Sequence, residues 1–188
     1  MPATTWAAAA DGALTNAVVF QPLFDADRLE GCSISFEAYQ RVGGELVQLT
    51  GALAVYQQPL AVMVKLGLGR LSKDGARQII WTAPAAAGLR DGVATTAASL
   101  VRAGQSEDTP GAGLFVYAFD PTTVALLRAS LNSDRIAGYY VQTEGAPPVS
   151  FDVDLGVLKK PPPGAPNQGQ DGVAAMKQCV QSLVSPTP

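Results

Sequence analysis

Val149-Ser150-Phe151-Asp152-Val153-Asp154-Leu155-Gly156-Val157 alternates without a break between apolar residues and polar or small ones. Successive side chains of an extended chain point to opposite faces, so a two-residue period marks a strand with one dry side and one wet side. Val149, Phe151, Val153, Leu155 and Val157 are expected to face a core, and Ser150, Asp152 and Asp154 to face water. Such one-sided strands belong to antiparallel sheets. The dry face then needs a cover, either a second sheet or helices.

The same period recurs upstream. Cys32, Ile34, Phe36 and Ala38 oppose Ser33, Ser35, Glu37 and Tyr39. Val47, Leu49, Leu53 and Val55 oppose Gln48 and Thr50. Leu60, Val62, Val64, Leu66 and Leu68 oppose Lys65. Gly43-Gly44 reads as a hairpin turn, and Gln57-Gln58-Pro59 breaks the chain before the third segment, so the three strands form an antiparallel meander. Shorter strands are expected at 78–82, 114–119 and 136–142.

Helices are expected at three places. Asp120-Pro121 combines an N-cap with proline at the first helical position, and Val124, Leu127 and Leu131 follow on one face. Asp91 caps a second pattern carrying Val93, Ala97, Leu100 and Val101, which Gly104 ends. A third runs over 171–184 with Asp171 as its cap, reached through a proline-rich connector at 159–170. The alanines at 7–10 suggest one further turn. Pro163-x-x-Pro166 within the connector matches the minimal ligand of aromatic-lined grooves but reads first as a surface linker. The fold expected is therefore α+β: one domain over 1–188, mainly an antiparallel sheet or sandwich of about seven or eight strands with two or three short helices packed on it.

Composition narrows function by exclusion. There is no histidine, which removes the imidazole general base, the Ser-His and Cys-His nucleophiles and the ordinary zinc site. Thirteen scattered basic residues against sixteen acidic ones give a net charge of -3, so nucleic acid is not an expected partner. No apolar run reaches the eighteen or so residues of a transmembrane helix. The first basic residue is Arg28 and the only early apolar run is Ala7 to Ala10, so no leader is expected in this numbering, whether Met1 is native or replaces one.

Cys32 and Cys179 are too far apart in sequence for a redox or metal motif. Both fall on apolar faces. A disulfide between them is the favoured arrangement over two buried thiols, and it would close a loop of about 150 residues worth roughly 5 kcal/mol of chain entropy. That favours a periplasmic or extracellular location, with the cytoplasm as the alternative.

Candidate sites are few. Asp25-Ala26-Asp27 with Glu30 resembles the start of a calcium loop, but the glycine and the closing glutamate of such a loop are missing. Asp152 and Asp154 are neighbours on one strand face with no third ligand in view. Gly67-Leu68-Gly69 before Arg70 and Lys73 lacks the spacing of a phosphate-binding loop, and Ser72-Lys73 lacks the spacing of a serine-lysine nucleophile. Tyr139 and Tyr140 must face opposite ways, so one of them, with Tyr39, is expected to offer an aromatic contact surface. No metal and no organic cofactor is expected. The functional expectation is a non-catalytic extracytoplasmic binding or accessory module for another protein or an assembly, using Tyr39, Tyr139 and Tyr140. A structural subunit of a particle, filament or envelope complex is the alternative, and a carboxylate-dependent enzyme the third possibility.

Overall fold

A computed structural model describes residues 13–72, 78–156 and 169–184 of the chain, with side chains at 169–171 excepted. The expected class is the one observed: among the described residues, eleven strands form two antiparallel sheets with two helices. The larger sheet begins with four long strands in a meander, β1 (Leu14–Asp25), β2 (Arg28–Val42), β3 (Glu45–Gln57) and β4 (Leu60–Leu71). A short strand, β5 (Ile79–Thr82), folds back on the end of β4. β6 (Ala86–Asp91) and the two-residue β7 (Ala94–Thr95) follow, then β8 (Leu100–Gln105) and β9 (Ala112–Ala118). β9 pairs with the first half of β4 and β8 pairs with β9, which completes the seven-stranded sheet. Helix α1 (Pro121–Asn132), β10 (Arg135–Val141), β11 (Val149–Asp154) and helix α2 (Gly169–Val184) end the described chain. The smaller sheet has the order β11-β10-β6-β7.

Local chemistry explains the turns. Val42 pairs with Glu45 across Gly43 and Gly44, both at positive φ, as a tight two-residue hairpin requires. Asp91 pairs with Ala94 across Gly92, again at positive φ. That hairpin corrects the expectation of a helix from Asp91 to Gly104. The stretch is instead a strand pair, a single 3-10 turn at Thr96–Ser99 and an edge strand. Val93 is 91% exposed, so the helix-like spacing of its apolar residues does not describe a buried face. The start at Asp120 is as expected: its side chain accepts from the Thr123 backbone N–H at 2.8 Å. α2 begins at Gly169, two residues ahead of the expected start at 171. The alanines at 7–10, Lys73, Val157 and the connector from Lys159 through Pro163 and Pro166 to Gln168 lie outside the described residues.

The core lies between the sheets. Ile34, Phe36, Leu49, Leu53, Val64 and Leu66 from the large sheet meet Leu89, Ile136, Tyr140, Phe151, Val153 and Leu155 from the small one. α2 closes the same side over β1 to β3 with Val173, Met176, Cys179 and Leu183. The bond between Cys32 and Cys179, 6.0 Å apart at Cα, ties α2 to β2. α1 packs on β10, β6 and β7 from the other side of the small sheet. In consequence the wet face expected for the 149–157 strand is only partly wet: Asp154 is exposed, while Ser150 and Asp152 are half-buried.

Three aromatic rings lie over glycines directly opposite them in the ladder: Phe36 over Gly51, Phe151 over Gly138 and Trp81 over Gly69. A Cβ on Gly51 would lie 2.6 Å from the Phe36 ring, and one on Gly138 2.3 Å from that of Phe151. Glycine gives the strand no side chain to pack, and the cross-strand ring takes the vacant space. Two of these pairs fill the core. The third stands on the opposite, outer face of the large sheet.

Candidate functional site

The alternation that sends Cys32, Ile34 and Phe36 inward leaves a second set of residues on the outer face of the large sheet. Register lines them up in rows across the strands. One row runs Tyr39, Gln48, Gly69, Trp81. The next runs Ala17, Glu37, Thr50, Gly67, Ala112. A third runs Val19, Ser35, Ala52, Lys65, Leu114. Small residues dominate the middle of these rows, so the sheet surface is hollow there. A groove of about 450 Å³ results, floored by Ala17, Ser35, Glu37, Thr50, Ala52 and Gly67 and walled by Trp81 and the segment Thr109-Pro110-Gly111. That volume falls in the range of about 300–1,000 Å³ usual for small-molecule sites.

Both walls are fixed by identifiable contacts. The indole of Trp81 rests by its six-membered ring on β4, where a Cβ on Gly69 would come within 3.0 Å of it and one on Gly67 within 3.4 Å. Gly111, at φ +80°, lets the β8–β9 connection pass close to the Trp81 backbone, where any Cβ would meet the Trp81 Cβ at 2.6 Å. Trp81 keeps 36% of its surface exposed. The same connection is latched to the floor by Lys65, whose Nζ donates to both oxygens of Asp108 at 2.9 Å. Ser106 Oγ donates to Asp108 Oδ1 at 2.5 Å. These bonds, from Ser106 first and Lys65 second, hold the Asp108 carboxyl down to about 2.

A carboxyl whose value falls on folding stabilises the folded state fully above its ordinary range and loses that contribution as pH drops through the folded value. The latch is therefore expected to persist from neutral pH down to pH 4 and to open only as pH approaches about 2. NMR titration of the Asp108 carboxyl carbon checks this. In Lys65→Met the midpoint is expected to move upward, and an unmoved midpoint would show that the ion pair does not hold the loop.

On the floor, Glu37 Oε1 accepts two hydrogen bonds at 2.7 Å, from the Tyr39 hydroxyl and from Gln48 Nε2. The carboxylate is thus held by one of its two oxygens. The Tyr39 phenol is pushed above its usual value, chiefly by the hydrogen bond to Glu37. The arrangement supplies an oriented acceptor, the hydroxyls of Ser35, Thr50 and Thr109, and an aromatic wall. Lys65 is engaged by Asp108.

The residues singled out from sequence are placed as follows. Tyr39 is half-buried at the groove's margin and positions Glu37. Tyr139 and Tyr140 are 5% and 0% exposed, which corrects the expectation that one of them faces water. β10 is an inner strand covered on both faces, Tyr140 by the core, where it accepts from Gln40 Nε2 at 2.9 Å, and Tyr139 on the α1 side. Asp25 and Asp27 lie in the exposed β1–β2 turn, and Glu30 pairs with Arg28. Asp154 Oδ1 accepts from the Gly156 N–H at 2.9 Å, while Asp152 stays half-buried on the strand. Gly67 and Gly69 serve as the seat of Trp81. Among the described residues, no group of three or more acidic or cysteine side chains is placed to hold a metal ion. Sequence reasoning missed Trp81 as a site residue. Its legible signal was the glycine pair on β4, weighed only against phosphate-binding loops and not as space for a ring.

No family model, curated protein or solved structure matches the chain.

Proposed function

We propose that the protein is a non-catalytic binding module of an extracytoplasmic compartment, and that its ligand lies in the outer-face groove between Glu37 and Trp81. The observation that carries this reading is preorganisation. Trp81 is locked by three glycines and Glu37 by two donors, so both are set in place before any ligand arrives, which lowers the cost of binding. The buried disulfide supports an oxidising location.

Thr50 is exposed on the groove floor and takes no part in the core, so Thr50→Trp fills the groove without disturbing the fold. Wild type and variant, matched for melting temperature, are to be probed against glycan and peptide arrays. Ligands captured by wild type should be lost by the variant. Equal capture by both proteins would contradict the assignment.

A second reading, a subunit of a larger assembly, is favoured by one corner where Leu71 and Ile79, paired across β4 and β5, and Leu46 are all exposed on the same face. Sedimentation at high concentration separates the two, since a monomer speaks against obligatory assembly.

A further inference from the structure

Resting on the groove as the binding site, we infer that its ligand is a neutral oligosaccharide. Four features of the groove converge on that class.

The groove runs from Ala17 on β1 to the Trp81 indole over Gly67 and Gly69 of β4, three strand spacings or about 14 Å at ~4.8 Å per spacing. A compact ligand would leave much of that length empty. A lone ammonium group at Trp81 would fill only one end of it. The ligand is therefore elongated.

Charge removes the anionic classes. The groove's cation, Lys65, has both Asp108 oxygens within hydrogen-bond distance, and Glu37 adds a second negative charge. Phosphorylated, sulfated or carboxylated chains would meet repulsion at Glu37 and find Lys65 engaged.

Backbone pairing separates a saccharide from a peptide. Glu37, Thr50 and Gly67, which cross the floor, are paired within the β2-β3-β4 ladder, and an extended peptide gains affinity mainly by adding a strand to an open edge. Over a paired floor its own N–H and C=O groups would go without partners, at a cost of about 1 to 3 kcal/mol for each group left buried. Sugar hydroxyls, in contrast, both donate and accept, and they match the side chains present. They donate to Glu37 and exchange hydrogen bonds with Ser35, Thr50 and Thr109. The apolar C–H face of a pyranose ring packs on the exposed indole of Trp81. The wall and the acceptor thus recognise two different parts of one chain of rings.

The test uses the full chain with Trp6→Phe, so that Trp81 is the single indole reporter. Cellotetraose, maltotetraose and chitotetraose are titrated at low and high salt, beside a sulfated heparin tetrasaccharide and an uncharged extended peptide. At least one neutral tetrasaccharide should shift the Trp81 emission saturably, with an affinity unchanged by salt. Calorimetry should show Trp81→Ala weakening binding about 10-fold. Glu37→Gln should weaken it by a similar factor, with melting unaltered. Binding of the peptide or the sulfated chain alone, abolished by Thr50→Trp, would overturn the saccharide class and leave the groove standing. No response to any probe would overturn the saccharide inference, and a response that persists in Thr50→Trp would overturn the groove with it.

Discussion

Phe151→Ala is expected to destabilise the protein by about 3 to 5 kcal/mol, the cost of emptying a buried aromatic site. Phe151 is 3% exposed and joins the two sheets, with ring centroids 6.1 Å from Phe36 and 6.2 Å from Tyr140. Pairs of this kind contribute about 0.5 to 1.5 kcal/mol each beyond the area they bury. The void left by the substitution cannot be closed from across the strand, because Gly138 opposite has no side chain to move into it. Asp152→Asn, one position along on the half-buried face, should be near neutral. Urea denaturation of the two variants checks the contrast, and comparable losses would show that the ring does not hold the sheets together.

Removing the disulfide should have an effect of the same order. The bond spans 147 residues, for which chain entropy gives about 5 kcal/mol, and for a chain of this size that corresponds to a melting temperature lower by roughly 10 to 20 °C. Both cysteines are buried in the main core cluster, so their loss also loosens the packing of Val173, Met176 and Leu183 on β1 to β3. The double variant Cys32→Ala with Cys179→Ala is to be compared with wild type by calorimetry. Unchanged melting would mean that α2 is held by packing alone.

What the sequence made legible follows from how local each signal is. The β2-β3-β4 meander, the Gly43-Gly44 turn and the Asp120 cap rest on residue periods and turn chemistry that act within a few positions, while the cysteine pairing was favoured because the chain has only two cysteines and both fall on apolar faces. β1 was missed because Leu14 and Phe24 are exposed while Val18, Val19 and Phe20 are half-buried, so its period is blurred by edge exposure. The 91–104 segment misled because spacing alone does not report whether Val93, Leu100 and Val101 meet a core, and here they do not. Burial of both Tyr139 and Tyr140 depends on α1 crossing the back of the small sheet, which is a tertiary event. The groove was half legible. The outward set containing Glu37, Tyr39, Gln48, Thr50 and Lys65 follows from alternation, but its hollow shape arises where small residues from four strands align, and only the register reveals that.

The claim that this hollow is the binding site is tested most directly by mapping amide shifts in isotope-labelled protein as the strongest array ligand is added. Perturbations are expected to concentrate at Glu37, Thr50, Lys65, Gly67 and Gly111 and at the Trp81 indole N–H, with Tyr139 and Tyr140 nearly silent. Perturbations centred on Leu46, Leu71 and Ile79, or along β8 from Leu100 to Gln105, with the groove unmoved, would overturn that assignment.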